Sequence, residues 1–142
     1  MKTDESIPDD EEAPPLTGQI VLIDSDGDEL MAVTVALSTL RLKVMAVQPH
    51  APLRAAARLV RREPAAIVMA LDGMYNLVDV RAILAAGRTT RFVFLVPELP
   101  PKAALARVVS QYGATIISRD EAPMVLAATL IAMLADDSHG VA

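Results

Sequence analysis

Cysteine and tryptophan are absent from the 142 residues, and the aromatic complement is two tyrosines and two phenylalanines. Without cysteine there is no disulfide, no thiolate metal site and no cysteine nucleophile, a composition compatible with a reducing cytoplasm. Hydrophobic residues still make up 53% of the chain, so the core has to be built from Ala, Val, Leu, Ile and Met. Such small side chains suit close packing of helices on a sheet. No basic start leads into an apolar signal-like segment, and the longest apolar stretch, Met124 to Ala135, is too short to cross a bilayer. A soluble cytoplasmic chain without a membrane partner is expected. Gly27 and Gly73 stand alone, so no glycine-rich phosphate loop is present. His50, His139, Ser25 and Ser118 have no nucleophile, triad or metal partner in sequence reach. Nothing in this inventory points to an enzyme.

Charge is unevenly distributed. Of the 18 acids, six (Asp4, Glu5, Asp9, Asp10, Glu11, Glu12) lie before Leu16, against the single Lys2, and the remainder balances at twelve acids and twelve bases. An acidic stretch without apolar periodicity buries too little surface to offset its ordering entropy. Residues 1–17 are therefore expected to be a disordered tail, residues 18–136 one domain, and residues 137–142 a flexible end. A near-neutral domain without clustered aromatics does not favour nucleic acid as a partner.

The domain reads as alternating strands and helices. The run from Pro64 to Gly73 is too short and too continuously apolar for anything but a strand covered on both faces, the expected centre of a parallel sheet. Further strands are expected at Gln19–Ile23, Lys43–Val47, Arg91–Val96 and Ala114–Ser118. Helices are expected over Leu30–Leu40, Leu53–Glu63, Asn76–Ala86, Lys102–Tyr112 and Ala122–Ala135, with Gly87 and Gly113 as stops. Parallel strands need helix-length, right-handed returns, which gives a flavodoxin-like α/β fold, a three-layer (βα)5 sandwich with strand order 2-1-3-4-5. Its crevice lies beyond strands one and three, where Asp24, Ser25 and Asp26 should face Ala70 and Asp72.

Three features, Ile20-Val21-Leu22-Ile23-Asp24 before a helix, Arg62-Glu63-Pro64 before the central strand, and Gly113-Ala114 opening the fifth, make residues 18–136 resemble the receiver domain of bacterial two-component response regulators. The resemblance implies an acid pair holding magnesium, a phosphoacceptor aspartate ending strand three, a hydroxyl residue ending strand four and a lysine after strand five. On this sequence those positions fall on Asp24 with Ser25, on Ala70, on Val96 and on Asp120, which has Arg119 beside it; the aromatic frequent in strand five is Ile117. Asp24 alone survives. Alanine is no nucleophile, valine cannot bind a phosphoryl oxygen, and an aspartate in place of lysine repels it, while magnesium needs a set of hard oxygens. The resemblance thus implies a degenerate, pseudo-receiver domain.

Other readings remain open. Asp72 becomes the acceptor if the strand register slips by two. Asp24, with or without Asp26 and Asp28, is a candidate magnesium site, although Asp24 or Asp26 can equally cap the following helix. Arg54, Arg58 and Arg61 form a stripe at helical spacing; Arg54, Arg58 and Arg119 are candidate contacts for a phosphorylated ligand such as cyclic di-GMP. The last helix is apolar around nearly its whole circumference. Leu126, Leu130 and Met133, with Ala104 and Val108 of helix four, are the expected interface of a homodimer built on the helix 4, strand 5, helix 5 face, or of a contact with a partner signalling protein or output domain.

Overall fold

The computed structural model describes residues 14–71, 75–97, 102–122 and 124–141, the last six of these by their backbone. The first strand, β1 (Ile20–Ile23), is followed by α1 (Gly27–Ser38), β2 (Val44–Val47) and α2 (Pro52–Leu59). A one-turn 3-10 helix, Val60–Arg62, extends α2, and β3 (Ala66–Ala70) and α3 (Leu77–Ala86) come next. The chain continues through β4 (Arg91–Val96), α4 (Ala103–Tyr112), β5 (Thr115–Ser118), a second one-turn 3-10 helix, Arg119–Glu121, and α5 (Met124–Val141). The strands form one parallel sheet in the order β2-β1-β3-β4-β5, as the pattern of returns predicts.

The apolar runs become strands with two buried faces. All five residues of β3 and all four of β1 are buried, and successive residues enter opposite layers. Val21, Ile23, Ile67, Met69, Phe92 and Phe94 face the layer closed by α2, α3 and α4. Ile20, Leu22, Ala66, Val68 and Ala70 face the layer closed by α1 and α5. Both phenylalanines lie on the three-helix side, stacked with ring centroids 6.3 Å apart.

Several boundaries differ from the sequence reading. Helix α1 starts three residues early because Asp26 caps it, accepting the N–H groups of Asp28 at 3.0 Å and Glu29 at 3.2 Å. Pro14 to Leu16, assigned to the disordered tail, are docked: the Leu16 N–H donates to the Arg62 carbonyl at 2.7 Å, and Leu16 is buried in the three-helix layer. Burying such a side chain stabilises by about 1.5–3 kcal/mol, which holds Leu16 against the domain. Residues 1–13 lie outside the described part. At the other end, residues 137–141, expected to be a flexible tail, continue α5.

Gly87 gives a direct test of the three-helix layer. A Cβ there would lie 2.6 Å from Phe92 Cε2 and 2.9 Å from Val60 Cγ2, and both partners are buried. Gly87→Ala should therefore destabilise by about 1–3 kcal/mol in urea unfolding, through overpacking, rather than give the gain usual at a compatible glycine.

Candidate functional site

The carboxyl edge of the sheet carries the chemistry-bearing residues. Asp24 leaves β1 and is nearly buried, with both carboxylate oxygens engaged: Oδ1 accepts the Asp26 N–H at 2.9 Å, and Oδ2 accepts Arg119 Nη2 at 3.0 Å. Since β3 and β4 lie between β1 and β5, this ion pair ties the exit of β5 to the exit of β1 across the centre of the edge. Ala70 closes β3, is buried, and sits in register with Leu95. No nucleophile or acceptor oxygen is offered by that side chain.

The other expected members of this corner are elsewhere. Val96 is packed in the three-helix layer, because strand alternation turns it away from the side that holds Ala70. Asp120, on which the resemblance places the lysine position, is exposed on the 3-10 turn, where its N–H donates to Ser118 Oγ at 3.3 Å. Arg119 takes the inward place instead. Ser25 is exposed, and its carbonyl accepts Gln48 Nε2 at 3.2 Å. Asp72 lies outside the described residues. Among the described residues no three histidine, aspartate or glutamate side chains converge to hold a metal. The described residues do not fit a magnesium ion: of the two described carboxylates here, Asp24 already holds the Arg119 guanidinium and Asp26 caps α1.

Beside this corner a cleft of about 450 Å3 opens between the first turns of α2 and α3, lined by Ser25, His50, Arg54, Ala70, Tyr75 and Asp79. Burial pushes the Tyr75 hydroxyl above its usual pKa. The three candidate ligand arginines do not meet here. Arg54 lines the cleft, Arg58 does not, and Arg119 is paired with Asp24.

The expected interface is corrected most. Leu126 and Leu130 are fully buried beneath α5, Met133 packs against the same core layer, and Val108 is buried under α4; of the five residues only Ala104 is exposed. The outer face of α5 is instead Met124, Val125, Ala128, Ile131, Ala132 and Ala135, with Met124 82% and Ile131 48% exposed. On the same side of the sheet α1 presents Met31 and Val35, 64% and 55% exposed, which the sequence reading did not single out. Their i, i+4 spacing, out of phase with the buried Leu30, Val33 and Leu37, is the signal that marks them.

No family model and no curated protein sequence matches the chain. Solved structures do. A response regulator from Thermotoga maritima is 17% identical, with 87% of this chain and 99% of that one covered at a TM-score of 0.65. The activated receiver domain of RstA from Klebsiella pneumoniae is 20% identical, over 82% of this chain and 97% of that one, at 0.63. A Burkholderia pseudomallei protein described as pilus assembly-related is 13% identical, over 82% and 89%, also at 0.63. The chain has the receiver-domain fold.

Proposed function

We propose that this chain is a pseudo-receiver, a receiver-fold module that works in signalling by protein association and without phosphorylation. The observation that carries the reading is the Arg119–Asp24 pair beside Ala70. A switch needs a ligand that binds one state better than the other. Here the cation at the acidic corner is a side chain, permanently charged and covalently part of the fold. It holds the corner in one arrangement whether or not magnesium or a phosphoryl donor is present. The module is not an enzyme on this reading and needs no cofactor.

Its output is association through the apolar outer face of α5, with Met124, Val125 and Ile131 at its centre and Met31 and Val35 of α1 on the same side of the sheet. A second copy of the chain is the proposed partner. Sedimentation velocity over a concentration series tests this, with and without magnesium and beryllofluoride. A dimer of equal strength in both conditions is expected. A monomer throughout would remove the homodimer, and one that dimerises only with the mimic would overturn the whole reading. Intact mass after acetyl phosphate and magnesium should be unchanged; a gain of one phosphoryl group located at Asp72 would make that residue an acceptor. The ligand-sensor alternative has less support, since Arg54, Arg58 and Arg119 are not gathered at one site.

A further inference from the structure

The cleft beside the acidic corner does not end at the sheet edge. It shares Leu53, Arg54 and Asp79 with a groove of about 370 Å3 that continues between α2 and α3, walled by Val60 and Ile83 and by the short side chains of Ala57, Ala82 and Ala86. Ala57 on α2 and Ala82 and Ala86 on α3 are exposed, so the hollow comes from small residues on both walls. Cleft and groove each have the size of a small-molecule site, about 300–1,000 Å3. Their junction is electrically divided. On one wall, α2 starts at Pro52 with no side-chain cap and no acid in its first turn, which leaves its first N–H groups open, and Arg54 adds a full positive charge. On the other wall, Asn76 Oδ1 caps α3 by accepting the Val78 N–H at 2.8 Å, and Asp79 adds a negative charge in the first turn. Arg54 and Asp79 line the same two spaces, yet neither makes an ion pair or side-chain hydrogen bond among the described residues.

We propose that the cleft and groove bind a free α-amino acid with an aliphatic side chain, its carboxylate at Arg54 and the start of α2, its ammonium at Asp79, and its side chain in the α2–α3 groove. A ligand with one charge would pair with one wall and meet its own sign on the other. A zwitterion satisfies both. Exposed ion pairs are weak singly, so the charged end orients the ligand, and removal of the apolar side chain from water supplies the rest of the affinity. A fatty acid or a phosphate would leave Asp79 opposing it, and glycine would leave the groove empty. The site lies in the layer of α2, α3 and α4, across the sheet from the α1 and α5 faces proposed for association. The two readings therefore stand or fall separately.

Amide spectra of the isotope-enriched full chain, titrated with L-leucine at low salt, test the assignment. Saturable shifts with a Kd below about 10 mM should centre on Leu53, Arg54, Ala57, Asp79 and Ala82, while the amides of Met31 and Ile131 stay in place. Isocaproate, which lacks the ammonium, isoamylamine, which lacks the carboxylate, and glycine, which lacks the side chain, should each bind at least about tenfold more weakly. Arg54 and Asp79 are exposed, so their variants should keep the dispersion of a folded chain. Arg54→Gln should weaken L-leucine about tenfold without weakening isoamylamine, and Asp79→Asn should weaken L-leucine about tenfold without weakening isocaproate. Ala82→Leu, which fills the groove, should weaken L-leucine as well. No saturation by about 10 mM L-leucine overturns the proposal. Isocaproate binding as tightly as L-leucine also overturns it, by making the cleft a site for apolar anions, and so does an L-leucine Kd unmoved by Arg54→Gln or by Asp79→Asn.

Discussion

Replacing Leu130 with alanine should cost about 2–5 kcal/mol of stability, the range for deleting a fully buried leucine side chain. Leu130 has no exposed surface and sits with Leu126, Val68 and Leu95 in the layer under α1 and α5. Part of the loss is transfer free energy and part is the cavity, which the sheet beneath cannot close by moving. The neighbouring Ile131 gives the opposite result. It is 48% exposed, so Ile131→Ser, alone or with Met124→Ser, should change stability by no more than about 0.5 kcal/mol while weakening self-association in sedimentation velocity. Urea unfolding of the variants separates the two roles. A neutral Leu130→Ala would mean that α5 is rotated from the orientation described; an undiminished dimer in Met124→Ser/Ile131→Ser would remove the α5 face from the interface.

That contrast shows where the sequence stops being informative. Strands covered on both faces are legible because nothing else makes short, continuous apolar runs, and the strand order follows from helix-length returns between parallel strands. The phase of α5 is not legible, because apolar residues surround the helix. Leu126, Leu130 and Met133 share one face and Met124, Ala128 and Ile131 share another, with equal i, i+4, i+7 spacing. Only the position of the sheet decides which is covered. Arg62 was equally hidden: in sequence it continues the stripe of Arg54, Arg58 and Arg61, yet it is buried, with its Nε donating to the Pro14 carbonyl 48 residues away. At the acidic corner, Asp24 and Ala70 were legible from their distance to the strand starts. Arg119 was only half so, since the resemblance gives the inward place to Asp120 and the turn after β5 gives it to its neighbour.

Removing that guanidinium is the sharper test of the corner. The side chains of Arg119 and Asp24 are 13% and 7% exposed, so Arg119→Ala would leave a nearly buried carboxylate with the Asp26 N–H as its remaining described donor. Breaking one side of a buried pair typically costs about 3–5 kcal/mol; the residual exposure of both groups and entry of water reduce the expectation here to about 2–3 kcal/mol. Arg119→Lys should recover part of this, because an ammonium restores the charge without the planar fork of the guanidinium. Asp24→Asn in the Arg119→Ala background should recover some as well, by discharging the orphaned group, and the double-mutant cycle should give a coupling of about 1–2 kcal/mol. The losses should persist at high salt, since ions do not screen a pair from which water is largely excluded. A cost below about 0.5 kcal/mol for Arg119→Ala would show the pair to be open in solution. Asp24 would then be free to meet magnesium, and the corner would not be fixed without phosphorylation.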